Sequence, residues 1–144
     1  MRSRKPVPAQ VNPAEALREG AAISDEVLVP LGFRFVFGGD GKSSGGPYSQ
    51  GNFVRGNRRL EVHFRLSLGL VRYHIGAVNA SHDSYMAELG VRGKCKYPGY
   101  SDDFRGAFRD LAHDLAFAEE FLTGDGSALT RATATERKAR NEIS

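Results

Sequence analysis

The feature that most constrains the fold is a strict alternation of apolar and polar side chains along residues 58–67. The apolar positions are Leu60, Val62, Phe64 and Leu66, and the polar positions between them are Arg59, Glu61, His63 and Arg65. Successive side chains of a strand point to opposite faces, so this pattern predicts a strand with one buried face and one solvated face.

Residues 33–37 and 71–77 alternate in the same way, and residues 48–55 meet the strand over residues 58–67 across a short turn signal. We expect these three segments to complete a four-stranded antiparallel meander. Gly56-Asn57 separates two of the predicted strands and is typical of a tight hairpin turn. The glycine-rich stretch from Gly38 to Gly46 is predicted to be a long, flexible connection.

Helix signals flank the strands. Asn12-Pro13-Ala14-Glu15 predicts the capped start of a helix over 13–29, and Ser81 is predicted to cap a short helix. A last helix is predicted to begin after Ser101 and to run to Gly124. Its apolar stripe consists of Phe104, Phe108, Leu111, Leu115, Ala118 and Leu122. The predicted fold class is therefore α+β, with the N-terminal helix and the C-terminal helices packed on one face of the sheet.

Charge divides the chain into three predicted regions: a flexible basic arm (1–11), a single α+β domain (12–124) and a polar basic tail (125–144). The formal net charge is +3, yet residues 6–124 contain 13 basic and 14 acidic residues. Nucleic-acid binding normally needs a basic face on the folded part, so we expect nucleic acid to bind through the termini if at all. No apolar stretch is long enough to span a membrane, and a cytoplasmic protein with a single unpaired cysteine is predicted.

Pairing apolar with apolar side chains predicts the register of the sheet. In the hairpin expected to turn at Leu68-Gly69, it places His63 opposite His74 and Arg65 opposite Arg72. Across Gly56-Asn57, it places three more polar residues beside this set. The predicted solvated face, called here the polar sheet face, comprises Tyr48, Gln50, Asn52, Glu61, His63, Arg65, Arg72 and His74.

Three interpretations of the polar sheet face stay open at this stage. It is a recognition surface for a protein partner, with arginines and a tyrosine as anchors, or the solvated side of a half-buried sheet. Alternatively, His63, His74 and Glu61 act as acid and base in a small metal-independent hydrolase or nuclease, or hold a metal. The preferred prediction is a non-enzymatic interaction domain that needs no cofactor and no metal. A homodimer through the sheet is a further option.

Other motifs are weaker. Gly41-Lys42-Ser43 lacks the preceding glycine and the following helix of a phosphate-binding loop. Cys95 lies between Lys94 and Lys96, whose charges would favour a reactive thiolate. His82 and Asp83 follow Ser81 at a predicted helix start, where a site at the sheet edge is an option, although helix capping explains Ser81 and Asp83. His113 lies off the apolar stripe of the last predicted helix and is expected to be solvated or to form an ion pair.

Four motifs together carry a resemblance to a known group of proteins. They are Leu31-Gly32-Phe33, Leu60-Glu61-Val62-His63 with Ser67-Leu68-Gly69, Tyr97-Pro98-Gly99-Tyr100-Ser101-Asp102-Asp103, and Phe121-Leu122-Thr123-Gly124-Asp125. On these motifs, roughly residues 13–125 resemble a group of small bacterial α+β proteins of uncharacterised function. Their size and shape are similar to those of immunity proteins, which block a bacterial toxin by binding it. The resemblance implies an immunity or accessory protein of a toxin or defence system.

Overall fold

The computed structural model describes residues 12–43, 46–99 and 103–143, and within them the chain is α+β with one antiparallel sheet. The strands are β1 (Arg34–Ser43), β2 (Gly46–Arg55), β3 (Arg58–Phe64), β4 (Leu68–Ile75) and β5 (Val78–Ser81). The α-helices are α1 (Pro13–Leu28), α2 (His82–Glu88), α3 (Phe104–Leu115), α4 (Glu119–Leu122) and α5 (Ser127–Ile143). Short 3-10 turns span Val29–Leu31 and Arg92–Lys94. The predicted class and the antiparallel sheet are confirmed.

The sheet has five strands in the order β1-β2-β3-β4-β5 and not the predicted four. The segment over 71–77, predicted as the last strand, ends at Ile75, and Gly76 turns the chain with a φ of 58°. The four residues of β5 then pair with β4. A strand this short carries too few alternating positions to be recognised without its partner.

The predicted connection from Gly38 to Gly46 is mostly strand. β1 continues through a bulge between Phe37 and Gly39 and pairs with β2 as far as Ser43 and Gly46. Gly39 has a φ of +126°, a conformation that side chains rarely adopt, which explains a glycine at the bulge. Residues 44 and 45 lie outside the described part of the chain.

The predicted register of the β3–β4 hairpin is wrong, although the predicted faces are right. The turn falls at residues 65–67, where the Arg65 amide donates to the Ser67 carbonyl at 3.1 Å. His63 therefore pairs with Leu70 and not with His74. Leu66, expected in the core, is 85% exposed in the turn, and Leu68 takes the buried position. Across Gly56-Asn57 the register is as predicted, with Gln50 opposite His63 and Asn52 opposite Glu61.

Aromatic side chains join the buried face of the sheet to the helices. Phe64 of β3 stacks on Phe108 of α3 with ring centroids 6.1 Å apart. Tyr73 of β4 meets Tyr85 of α2 and Phe121 of α4 edge-on, at 4.8 and 5.0 Å. All five of these side chains are completely buried, so the helices and the sheet share one core.

Two of the predicted helix caps are confirmed. The Asn12 side chain accepts the amides of Ala14 and Glu15 at the start of α1, and the Ser81 hydroxyl accepts the Ser84 amide at the start of α2. The predicted first helix is observed as a continuous α1 that ends at Leu28.

The last predicted helix differs in two ways. Ser101 lies outside the described residues, and Asp103 caps α3 by accepting the Arg105 amide at 3.0 Å. The apolar stripe also does not belong to one helix, because α3 ends at Leu115 and α4 begins at Glu119. Both helices face the same core, so the apolar spacing runs on through the turn between them.

The predicted polar tail, residues 125–144, contains α5, which docks on the outer edge of β5. Its first half buries Ala128, Leu129 and Ala132. The Thr133 hydroxyl donates to the Asn79 carbonyl at 2.8 Å, and the Glu136 carboxylate accepts the Ser81 amide at 3.0 Å. These bonds satisfy backbone groups that an edge strand otherwise exposes. The docking face of α5 was not predicted because it consists mostly of small apolar side chains, which form no clear apolar stripe in an Ala/Thr/Arg-rich segment.

We expect Gly20→Ala to lower the free energy of unfolding by about 1–3 kcal/mol, the usual cost of overpacking. A Cβ at Gly20 would overlap the ring of Phe108, so α1 and α3 would have to separate. Alanine in an unobstructed helix is more favourable than glycine by about 1 kcal/mol. Denaturant unfolding measures the difference. Repeating Gly20→Ala in a Phe108→Leu background should reduce the loss, and an equal loss in both backgrounds would contradict this contact.

We expect Glu136→Ala to loosen α5 and to increase hydrogen exchange at the Ser81 amide. The substitution removes the acceptor of that amide and the ionic partner of Arg72, at a cost of about 1–3 kcal/mol. Arg137→Ala is the matched control, because Arg137 is the next residue of α5 and is exposed. Equal exchange rates at Ser81 in the two variants would show that Glu136 does not hold the helix.

Candidate functional site

The centre of the polar sheet face is Glu61, whose carboxylate bridges two histidines. One oxygen lies 2.7 Å from Nε2 of His63, and the other lies 2.8 Å from Nε2 of His74. The two histidines do not face each other across the strands, as the predicted register required. They meet at one acid, which holds both rings in fixed orientations.

Arg59 completes this centre and was not among the predicted site residues. Its guanidinium donates to the Asn52 side-chain oxygen at 2.9 Å and lies 3.3 Å from Nδ1 of His74. A guanidinium can only donate, so Nδ1 of His74 is the acceptor and the ring proton is on Nε2, directed at Glu61. Arg59 belongs to the same alternation as Glu61 and His63, which was the signal that could have identified it.

The charges of this centre follow from burial and hydrogen bonding. Burial raises the pKa of Glu61, but the hydrogen bonds from His63 and His74 outweigh it and hold that pKa below its ordinary value. Burial lowers the pKa of His74, and the nearby Arg59 charge lowers it further against the opposing effect of Glu61. At neutral pH the centre therefore contains an ionised Glu61 and a neutral His74.

A metal at this centre would have an unfavourable environment. Both carboxylate oxygens of Glu61 are bonded to imidazoles, and the Arg59 guanidinium lies 3.8 Å from one of them. The other ring nitrogen of His74 accepts from Arg59. A cation at the centre would therefore have to displace these bonds and lie next to a fixed positive charge.

One end of the polar sheet face is apolar and open. The Tyr48 and His63 rings stack almost parallel with centroids 5.7 Å apart. Beside them, a surface cavity of about 410 Å³ is lined by Tyr48, His63, Phe64, Arg65, Leu66, Ser67, Gly69 and Leu70. Leu66 is 85% exposed and Leu70 is 40% exposed. The predicted residues Tyr48, His63 and Arg65 thus come together here, with Gln50 paired to His63 on the neighbouring strand.

Arg72 lies at the other end of the face and is tied to α5. The prediction that Arg72 lies opposite Arg65 is wrong, because Arg72 pairs with Glu61 across the strands. Its guanidinium donates to Asn79 at 2.7 Å and to Glu136 at 2.6 Å. Burial raises the pKa of Glu136, but hydrogen bonds from Ser84, Ser81 and Arg72 lower it to about 2. Glu136 lies in the predicted tail, so sequence reasoning had no reason to place it beside Arg72.

A second polar cluster, the Asp114 cluster, is buried in the core. The Tyr73 hydroxyl lies 2.8 Å from Nδ1 of His82, and Nε2 of His82 lies 3.0 Å from the Asp114 carboxylate. Asp114 also accepts the amides of Lys96 and Tyr97 at 2.8 and 2.9 Å. Burial raises the pKa of this carboxyl, but hydrogen bonds from His113, Lys96, Tyr97 and His82 hold it below its ordinary value.

Sequence reasoning missed Asp114 as a functional residue. Asp114 follows Leu111 by three positions, which places it on the apolar side of α3, and an acid there was the available signal. Nδ1 of His113 lies 2.8 Å from the Asp114 carboxylate, so this side chain contacts the acid that follows it in the sequence.

Cys95 lies beside the Asp114 cluster and is not activated as its flanking lysines suggested. Burial, followed by the negative charge of Asp114, raises the pKa of the Cys95 thiol to about 11. The thiol donates to the Val91 carbonyl at 3.5 Å. Lys94 and Lys96 are both exposed, so their charges are screened by solvent.

We expect the free energy of unfolding to fall as the pH drops below about 6.5, with a second loss below about 4.5. The pKa of His74 is lowered from 6.5 and that of Glu61 from 4.5 in the folded chain, so the unfolded chain binds more protons as the pH falls. Denaturant unfolding over a pH series from neutral to acid measures both losses. His74→Gln should reduce the upper loss, with the remainder supplied by the buried His82, whose pKa is also lowered from 6.5. Glu61→Gln should reduce the lower loss, with the remainder supplied by Glu136 and Asp114. Profiles that superimpose on that of the wild type would contradict the assignment.

No protein-family model, curated protein or solved structure matches this chain. The resemblance to immunity-type proteins therefore stays a prediction from the sequence. Within the described residues, no helix combines the length and the apolar character needed to cross a membrane.

Proposed function

We propose that this chain is a non-enzymatic protein-interaction domain that binds a protein partner through the polar sheet face. The observation that carries the proposal is the exposure of Leu66 and Leu70 around an open cavity, next to the rigid centre of the face. Exposed leucines in such a setting are typical of interaction sites, where apolar anchors are surrounded by polar groups.

The centre of the face is ordered before any partner arrives. Glu61 holds His63 and His74, and Arg59 is bonded to Asn52. Side chains that already occupy their bound geometry lose little conformational entropy on association. This order favours a docking role for the histidines, which need no cofactor to perform it.

The geometry supports binding better than acid–base catalysis. The Nε2 atoms of His63 and His74 are both bonded to Glu61. The His74 side chain is only 11% exposed, and the lining of the open cavity includes His63 but not His74. A hydrolase using this pair would need both imidazoles within reach of one substrate.

The charges that stay exposed on this face suit a partner with an acidic and apolar surface. Arg59 is 43% exposed in spite of its contacts, and Arg34 is exposed in the same row of the sheet, with Val54 paired between them. Val36, on the same face, is 41% exposed. Carboxylates on the partner would bind the arginines and guide the encounter, while the apolar side chains would supply contact area. A toxin blocked by an immunity protein is the sharper form of this proposal.

We expect a photo-crosslinking residue at position 70 to capture a protein partner in the source cells, and the same residue at position 29 not to capture it. Val29 is the matched control, because it is 54% exposed and lies in the 3-10 turn after α1. The captured partner, purified, should bind Leu66→Ser/Leu70→Ser about tenfold or more weakly than wild type, and Val29→Ser with unchanged affinity.

Arg59→Ala should reduce the rate of association with the purified partner, and the reduction should shrink at high salt. Equal crosslinking at positions 29 and 70, or equal affinity of the leucine and valine variants, would show that the polar sheet face is not the docking surface.

A further inference from the structure

Three side chains of metal-binding type meet in the Asp114 cluster, away from the polar sheet face. His82, Cys95 and Asp114 each offer one donor atom, and these atoms all lie within 4.8 Å of one another. The His82 side chain is 3% exposed and that of Asp114 is completely buried. The three residues are far apart in the sequence and form no spacing motif, so the sequence predicted no metal here.

The surroundings of His82 match those of a histidine that binds a metal. A ligating imidazole usually donates its second ring N–H to a nearby oxygen, which fixes the orientation of the ring. The second nitrogen of His82, Nδ1, lies 2.8 Å from the Tyr73 hydroxyl, and the two rings stack at 5.7 Å. The Nε2 atom is thereby directed at Asp114 and is the nitrogen available to a cation.

Asp114 is also held in the way that a ligating carboxylate is held. The amides of Lys96 and Tyr97 and the ring of His113 all bond to its oxygens. Lys96 and His113 bond to Oδ1, and the Tyr97 amide bonds to Oδ2, the oxygen that His82 also approaches at 3.0 Å. A cation between Nε2 of His82 and the carboxylate would take the place of a single proton.

We propose that His82, Cys95 and Asp114 form a site for Zn²⁺. One nitrogen, one sulfur and one carboxylate oxygen are ligands that zinc accepts together, whereas Ca²⁺ and Mg²⁺ prefer oxygen alone. Three protein ligands leave the fourth tetrahedral position for water or an exogenous group.

A surface cavity reaches the edge of this cluster at His82. The cavity has a volume of about 380 Å³ and lies between β4 and the segment that follows Cys95, and His82 and Tyr97 both contribute to its wall. Cys95 is partly exposed and lies in a segment without regular structure after the 3-10 turn, so its sulfur can approach the other two ligands with a small movement.

The contacts of Cys95 and His82 determine how many protons are released when Zn²⁺ binds. The Cys95 thiol loses its proton to solvent as the Zn–S bond forms. The His82 ring proton shifts from Nε2 to Nδ1, and Nδ1–H then donates a hydrogen bond to the Tyr73 oxygen, which donated to Nδ1 before. One proton is therefore released for each Zn²⁺ bound, and the apparent affinity should rise with pH.

The experiment titrates metal-free protein with Co²⁺ and then with Zn²⁺. With Co²⁺, the wild type should develop a thiolate-to-cobalt charge-transfer band with one equivalent bound, and Zn²⁺ should displace the Co²⁺. With Zn²⁺, the thermal unfolding midpoint should rise. Cys95→Ser should lose the charge-transfer band and about tenfold or more of the zinc affinity.

Two controls separate this site from other histidines and from misfolding. Cys95→Ser keeps the size of the side chain, and circular dichroism in the aromatic region verifies that its core is intact. His63→Asn should keep the zinc affinity of the wild type, since His63 lies on the polar sheet face. Absence of a charge-transfer band in the wild type, or equal zinc affinity in wild type and Cys95→Ser, would overturn the proposal.

Discussion

The buried carboxylate of Asp114 is the interaction on which the packing of the helices depends. It collects hydrogen bonds from two backbone amides, from His113 on its own helix and from His82 on α2, and His82 connects it to Tyr73 of the sheet. One ionised group thus joins α3, α2, β4 and the segment at residues 96–97. An ion buried in this way is tolerated only when its hydrogen bonds are satisfied, so the four elements must be in place together.

Glu61 also gathers hydrogen bonds from neighbouring side chains, on the opposite face of the sheet, but solvent can reach it. Its carboxylate bonds to two histidines, as that of Asp114 does, but it is partly exposed and lies beside a half-exposed Arg59. The core cluster therefore supplies rigidity, while the surface cluster supplies a fixed pattern of donors and charges to whatever approaches. The two clusters have similar chemistry, and their different burial separates their proposed roles.

Sequence reasoning predicted the features that local physics determines. Period-two alternation identified the inner strands and assigned Glu61, His63 and His74 to one face, because side-chain direction depends only on position along a strand. The caps at Asn12 and Ser81 were predictable for the same reason, since a capping side chain bonds to amides two or three residues away.

Features that depend on distant partners were not predictable in this way. The β3–β4 register differs from the prediction because a turn at residues 65–67 competes with one at Leu68-Gly69, and both keep apolar residues opposite apolar ones. The contact of Arg72 with Glu136 joins residues 64 positions apart, and no periodicity signals it. The convergence of His82, Cys95 and Asp114 likewise appears only when α2 and α3 pack together.

The docking of α5 has a consequence for how the sheet meets other chains. One edge of the sheet, β5, has its outward amide and carbonyl groups bonded to Glu136 and Thr133. At the other edge, β1 has no further strand beyond it among the described residues, and its bulge at Gly39 interrupts a flat run of backbone. The two edges of the sheet therefore differ in whether they can pair with a further strand. A strand from another chain would pair with β1. Cleavage of the chain before α5 would also expose the unpaired backbone groups of β5 and favour self-association.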